Sequence, residues 1–318
     1  MKFDITAVNL EKTAIERRLE LLSMPMKGLI KSSEHMSVRT GIRYKETLGQ
    51  LDGDIQVGPY NKSRIDSDEI AIIGRELEVF FGSAIKEFDP NDVVQSIYGD
   101  LATKGVELTQ TNITRFVLGY LSKKAGSNLQ KVLWSAVRNA AKGETKDLFN
   151  GFDTITTTEI AAGNIAVVKE NYMVLTEVIT NNNAVDILKS IYENAHEELQ
   201  GQPTKMFISR NVYNAYNKDY QSSNGALPYN TEYKKTFLEG TDDLCELVPM
   251  PNKKSSPYIH LTTKKNMTIG CNQEGEEEKI NVEKHAAFTL QFIMTMFFGV
   301  QFETLSPECL LVAKLNVV

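Results

Sequence analysis

The sequence predicts an α+β fold in which a slender two-stranded hairpin precedes one long amphipathic helix. Three observations predict it. Apolar and polar residues alternate over residues 37–48, as in a half-exposed strand. An i, i+3, i+4 apolar rhythm runs from Ile113 to Ala140. Beyond it, helical and strand-like segments interleave through residues 184–315.

The chain has 318 residues, 42% of them hydrophobic and 24% charged, enough to bury a sizeable core. Disorder as the main state is excluded by that composition. The most apolar run, from Phe292 to Phe302, is far too short to span a bilayer and is interrupted by Thr295 and Gly299. The opening MKFDITAVNLEK lacks the apolar core of a secretion signal. Cys245, Cys271 and Cys309 lie far apart with no CxxC pair, a usage that fits a reducing cytoplasm. The net charge of −6, from 41 acidic and 35 basic residues, argues against tight sequence-specific DNA binding. It leaves room for a local basic face.

The first thirty residues read as an arm with one helix, capped by Asn9, with Leu10, Ala14, Ile15, Leu19 and Leu22 at helical spacing. Pro25 and Gly28 end or kink it. Such an arm packs on its own domain or reaches a neighbour. In the alternating stretch, Val38, Thr40, Ile42, Tyr44 and Leu48 point one way, and Arg39, Gly41, Arg43, Lys45 and Thr47 the other. A tip at residues 49–54 contains the Asp52-Gly53 turn pair, and Ile55 to Val57 begin a return strand, bent at Gly58-Pro59. A further strand, residues 75–81, sends Leu77, Val79 and Phe81 inward. Eleven extended residues reach ~36 Å, against a radius of gyration of roughly 20 Å for a compact chain of this length. A straight arm of that kind cannot hide inside its own subunit, and a lone ribbon is marginally stable, so it lies on something. The other reading is two edge strands of an ordinary sheet.

Asp89-Pro90-Asn91-Asp92 starts a short helix over about residues 91–103. The long helix is expected over about residues 109–140, with Thr109 or Thr111 as cap and Gly143 as stop, either unbroken or as two helices joined near Gly126-Ser127-Asn128. Residues 148–153 read as a turn, and the threonine run 154–158 as extended chain. Helices are expected at 184–200 and 210–218, and strands at 205–209, 245–250, 258–262 and 267–271. The longest β-type run lies within 282–300, and residues 310–315 are expected to pair beside it.

Catalytic motifs are absent: no Walker A loop, GxGxxG, GxSxG or HExxH occurs. His196-Glu197-Glu198 lacks a second histidine, and His35, His260 and His285 lie in separate segments. The acidic run Glu274-Gly275-Glu276-Glu277-Glu278 reads as a solvated turn, lacking EF-hand spacing. Lys234-Lys235 and Lys253-Lys254 are too small to define a nucleic-acid groove. We therefore expect no catalytic, cofactor-binding or metal-binding residue.

The order of parts resembles the major capsid proteins of tailed bacteriophages, the Hong Kong 97 coat fold. The hairpin at residues 37–67 and the spine helix at about 109–140 carry most of the likeness. Glu144-Thr145-Lys146-Asp147-Leu148-Phe149-Asn150-Gly151-Phe152 resembles the family's segment after the spine. Pro203 to Tyr213 is similar to its proline, apolar strand and Ser/Asn helix start. Leu238-Glu239-Gly240 leading to Val248-Pro249-Met250-Pro251 resembles the axial segment, and residues 279–287 and 297–302 the closing hairpin. The resemblance covers most of the chain, and the order carries it more than any one motif. The variety is similar to those of phages and prophages of gut Bacteroidetes.

That resemblance implies an N-terminal arm (1–36), an extended hairpin loop (37–70), a peripheral domain with the spine helix (71–158), an axial domain (159–278) and return strands of the peripheral domain (279–318). It implies a structural protein, not an enzyme, that forms pentamers and hexamers of an icosahedral shell around double-stranded DNA without sequence-specific binding. Assembly in the bacterial host cytoplasm, a portal protein and no membrane are part of the same expectation. Only about 36 residues precede the hairpin, which implies a separate scaffolding protein or a chain already shortened. The hairpin's Arg39, Arg43, Lys45 and Arg64 are expected to meet acidic patches on a neighbour. No Lys–Asn pair matching the cross-link of some members is identifiable. An encapsulin-type nanocompartment shell and a soluble α+β enzyme are the alternative readings.

Overall fold

The computed structural model describes residues 12–14, 21, 25, 29–52, 71–89, 110–224, 236–272, 280–286 and 289–316. The expected helix at 91–103, the return strand at 55–57, Arg64, Lys234-Lys235 and the acidic run 274–278 lie outside them.

A short helix α1 (Ile30–His35) leads into β1 (Ser37–Arg39). Strands β2 (Lys45–Asp52) and β3 (Ala71–Glu78) follow, and β4 (Phe80–Phe88) continues β3 after the single residue Val79. The long helix α2 (Gln110–Val132) precedes a 3-10 turn at Thr145–Asp147 and α3 (Phe152–Ala161). Then come β5 (Tyr172–Val174), α4 (Ala184–Glu193), α5 (Glu197–Gln200), β6 (Thr204–Ser209) and α6 (Arg210–Asn224). The remaining strands are β7 (Cys245–Met250), β8 (Tyr258–Thr262), β9 (Met267–Asn272), β10 (Ile280–Lys284), β11 (Leu290–Phe302) and β12 (Leu310–Lys314).

These strands form three sheets. In the first, the long β11 pairs with β4 along one side and with β10 and β9 along the other, and β1 lies outside β9. The second has the order β5-β12-β8-β6-β7, with parallel pairs at β12–β5 and β6–β7. The third is the β2–β3 ribbon, paired in register from Lys45–Glu78 to Asp52–Ala71.

The second sheet is a wall between two cores, because successive side chains on a strand face opposite ways. On β6, Met206 and Ile208 join one core with Leu188, Ile191 and Leu199, which come from α4 and α5. Phe207 joins the other, with Trp134, Phe149, Phe152 and Phe302. On β12, Leu311 and Ala313 face the first core, and Leu310 and Val312 the second. A third cluster packs Val117 and Leu118 of α2 on Val282, Phe292 and Met294 of the first sheet.

Several expectations need correction. The long helix stops at Val132, not Ala140. Residues 133–139 turn instead to pair with 146–153: Phe152 N–H donates to the Leu133 carbonyl at 3.2 Å, Asp153 to Trp134 at 3.0 Å, and Gly151 to Ala136 at 2.8 Å. Leu133 and Ala136 stay buried, so the apolar rhythm outlasts the helix that it suggested. The helix does run unbroken through Gly126, which lies against Pro25: a Cβ there would sit 2.1 Å from the Pro25 carbonyl oxygen. The threonine run is helical rather than extended. Thr156, Thr157 and Thr158 each donate to the carbonyl four residues back, which satisfies the hydroxyls inside a helix, while Phe152 and Thr156 are buried. Tertiary packing overrides the β propensity of threonine here.

Residues 184–200 form two helices, not one, broken at Asn194 to His196. β12 pairs with β8 and β5, not beside β11. The hairpin pairs Gly49–Asp52 as strand, so the turn expected to begin at Gly49 does not start there.

Candidate assembly surface

The root of the ribbon is built on two glycines. Gly299 of β11 and Gly270 of β9 are register partners. A Cβ on Gly299 would lie 2.1 Å from the Glu78 carbonyl oxygen, and one on Gly270 would lie 2.8 Å from a Val79 methyl. The ribbon therefore crosses the sheet where both strands lack side chains, at a distance no other residue permits. Ile42, Leu48, Leu77 and Val79 pack there with Phe297, all buried. Arg75 ties the ribbon to the body, with donors to Glu159 and, at 3.2 Å, to Gln301. Gln301 in turn donates to the Glu76 carbonyl at 3.2 Å.

Two left-handed backbone positions, Gly41 (φ 80°) and Tyr44 (φ 67°), redirect the chain between β1 and β2. They break the alternation phase. Ile42 and Leu48 face inward as expected, but Thr40 and Tyr44 are exposed. On the other strand Leu77 and Val79 are buried, whereas Phe81, expected inward, is 50% exposed.

The ribbon's cations are largely matched within the chain. Arg39 pairs with Glu46 at 3.0 Å and Glu303 at 3.5 Å, and Lys45 with Glu76 at 3.0 Å. The hydrogen bond and charge of Glu76 raise the Lys45 amine above its ordinary range. Arg39 and Lys45 thus have acidic partners within their own subunit.

Exposed apolar side chains also occur beyond the ribbon. β4 pairs on one side only among the described residues, with β11, and it exposes Phe81 and Ile85. Beside it opens a cavity of about 610 Å3 lined by Leu129, Arg138, Met294 and Met296 among others. Val167 and Val168 form a second exposed apolar point, Val168 being 94% exposed. Large exposed apolar side chains on rigid elements suit contact with another chain.

The body also holds a buried polar cage that no sequence motif announced. Lys253, 1% exposed, places its Nζ 3.3 Å from Asp153 Oδ1, 2.9 Å from Ser256 Oγ and 3.3 Å from His260 Nδ1, and 3.7 Å over the Trp134 ring. Thr156 Oγ1 donates to the Phe152 carbonyl, so at its 3.0 Å contact it accepts from His260 Nε2–H. That fixes the tautomer and leaves the Nδ1 lone pair facing Lys253. The cage joins the end of the α2 segment, the start of α3 and the turn before β8. Burial pushes the Lys253 amine down to about 8 against the opposing pull of Asp153. Burial likewise raises Asp153, with Lys253 opposing. Burial first, then the charge of Lys253, drives His260 well below its ordinary value near 6.5.

A folded-state value below the unfolded one gives a stabilising contribution that is present above the unfolded pKa and lost as pH falls. His260 should therefore make the subunit less resistant to urea as pH drops from 7 to 5. His260→Asn, which keeps an acceptor but does not titrate, should show a smaller drop over the same range. Equal drops in both proteins would refute the assignment.

The four histidines have different partners. His35 meets Lys205 at 3.2 Å and Glu246 at 3.8 Å, His196 caps α5 by accepting from Glu198 N–H, and His285 pairs with Glu87 at 3.3 Å. No group of three or more potential metal ligands occurs among the described residues. No helix among them is long and apolar enough to cross a membrane.

No protein-family model and no curated protein matches the sequence. Solved structures do. A chain of the satellite phage P4 procapsid, which includes a size determination (Sid) protein, is similar at a TM-score of 0.57 and 10% identity, over 95% of this chain and 100% of that one. The capsid of an empty GTA particle matches at 0.55 and 12% identity over 90% of each chain. The cyanophage A-1(L) capsid matches at 0.52 and 14% identity over 92% of each.

The chain has the Hong Kong 97-like capsid fold. Identities of 10–14% mean that this fold persists here on almost wholly different side chains. The order read from the sequence (hairpin, long helix, mixed region, closing strands) is the order of the Hong Kong 97-like elements in space. What reading missed are the positions that seat them: Gly270, Gly299, Trp134, Asp153 and Lys253. Isolated glycines inside apolar strands were the available signal for the first two. Lys253, inside a Pro-Asn-Lys-Lys turn, gave none.

Proposed function

We propose that this chain is the major capsid protein of a tailed bacteriophage, a structural subunit rather than an enzyme. Copies would form pentamers and hexamers that close into an icosahedral shell around double-stranded DNA. The observation that carries the reading is a two-stranded ribbon paired with no other strand among the described residues, within a fold shared over nine-tenths of the chain with capsid proteins. A ribbon of eight pairs spans about 26 Å and is marginal alone, so a neighbouring copy is its natural support.

The proposed parts are the arm (1–36), the hairpin (37–70), the peripheral domain (71–158), the axial domain (159–278) and the return strands (279–318). The sheets interleave across this division: β3, one half of the ribbon, falls in the peripheral range, while β9 joins the first sheet and β12 the second. Phe81, Ile85, Val167 and Val168 are the side chains proposed to lie between copies. Such contacts can each be weak, because closure of many multiplies them. A portal protein and a separate scaffolding protein would act in the host cytoplasm, where the virion capsid is assembled.

The test is expression in bacteria, with and without the products of neighbouring genes, followed by gradient sedimentation and negative-stain microscopy. Rings or closed shells are expected, with nucleic acid rather than an enzyme as their contents after packaging. A subunit that stays monomeric in both arms overturns the proposal.

A further inference from the structure

The longest stretch of this chain without aspartate or glutamate is residues 108–143. It carries Arg115, Lys123, Lys124, Lys131, Arg138 and Lys142. Set against a whole-chain charge of −6, these six cations leave −12 on the other residues. The structure gives the run a shape. It is α2 and the turn after it. Tyr120, Lys123, Lys124 and Lys131 are exposed on the helix, while Leu118, Ser122, Leu129 and Gln130 are buried. At 3.6 residues per turn, Tyr120, Lys124 and Lys131 share one line, with Lys123 beside it.

Among the described residues, no carboxylate forms an ion pair with the lysines of this strip, and only Lys142 feels the charge of a neighbouring acid, Glu144. Lys123, Lys124 and Lys142 have no ion pair among the described residues, and Lys131 donates only to Asn128 Oδ1 at 3.4 Å. The acids that follow the run are committed. Glu144 pairs with Lys146, and Asp147 is buried, accepting from Glu144 N–H at 3.2 Å. Arg138 lies 3.7 Å over the Phe80 ring yet remains exposed.

We propose that the exposed face of α2, with Arg138 and Lys142, is a sequence-independent docking surface for the phosphate backbone of duplex DNA. It deepens the shell reading by naming where the subunit meets enclosed DNA. From Tyr120 to Lys131 the strip runs ~16 Å at about 1.5 Å per residue. The Debye length is roughly 8 Å at physiological salt, so the acidic remainder is screened from a phosphate lying on the strip. Flexible lysines without a recognition loop contact phosphates and not base edges, which gives weak, mobile binding. An exposed tyrosine adds a hydroxyl donor on the same line.

The test needs no assembly. The purified full chain is titrated into fluorescent random-sequence duplex DNA at several salt concentrations, read by anisotropy. About five contacts predict a slope of log K against log salt near −4 to −5, a loss of several hundred-fold between 50 and 200 mM. K123Q/K124Q/K131Q should reduce the slope by about 3, and Lys131→Gln alone by about 1, should the triple variant not fold. Binding without salt dependence, or glutamine variants that bind like the parent, overturns the proposal. So does a strip that binds poly-glutamate but not DNA, which would assign it to an acidic segment of another copy. Particle formation is scored separately: DNA binding without shells would fail the shell reading alone, and shells without DNA binding would fail this one alone.

Discussion

Gly299→Val should give a folded subunit that forms no particles. The new side chain needs the space that the Glu78 carbonyl oxygen occupies at 2.1 Å from a Cβ, and that oxygen belongs to the backbone of the ribbon's root. Backbone cannot rotate aside as a flexible side chain does. Overpacking of this kind costs roughly 1–3 kcal/mol in a closed core. Here the ribbon can instead lift away, breaking the contacts of Leu77 and Val79 with Phe297. Phe298 and Val300, on either side of Gly299, face the opposite way into a core of the second sheet, so far-UV circular dichroism should be retained while sedimentation shows loss of assembly by more than tenfold. Gly270→Ala, facing side-chain methyls of Val79 and Leu77 rather than backbone, should be milder. Normal particle yield from Gly299→Val would show that the ribbon's seat is not what assembly depends on.

Lys253→Met should be the most destabilising single change at a position away from any surface. The ammonium has three acceptors and an aromatic face, and its removal leaves Asp153 buried without its cation. Breaking a buried pair from one side costs about 3–5 kcal/mol, whereas replacing both partners by apolar residues is often neutral. The urea midpoint of Lys253→Met should fall steeply, and Lys253→Met with Asp153→Leu should recover most of the loss. A double variant as unstable as the single one would mean that Ser256, His260 and Trp134, not the charge pair, set the energetics.

Fold class and element order were legible because they rest on periodicity, which one sequence displays. Leu77 and Val79, or Met206 and Ile208, declare their faces by alternation alone. The failures arise where a distant partner competes with the local pattern. The helix rhythm continues past Val132, but residues 146–153 supply donors to the carbonyls of Leu133, Trp134 and Ala136, and a turn wins. Thr154 to Thr158 look extended until the hydroxyls of Thr156, Thr157 and Thr158 are given the carbonyls one turn back. Tyr44 sits at the correct spacing for burial and is exposed, because the backbone is redirected at Gly41 and Tyr44 itself; Phe81 covers Phe297 at 4.9 Å between ring centroids and stays half exposed. The assembly surface was legible only as a reaching hairpin. The intrachain partners of its charges were hidden, because Glu76 and Glu303, far along the chain, cannot be placed beside Lys45 and Arg39 by spacing.

β12 has a consequence for synthesis. It occupies an inner position of the second sheet, between β5 and β8, and its alternate side chains complete two different cores. A ribosome that has not yet delivered residues 310–314 has made a polypeptide whose wall is missing an inner plank, with apolar surface open on both sides. Neither half can mature ahead of the other, so both cores wait for the same late-made segment.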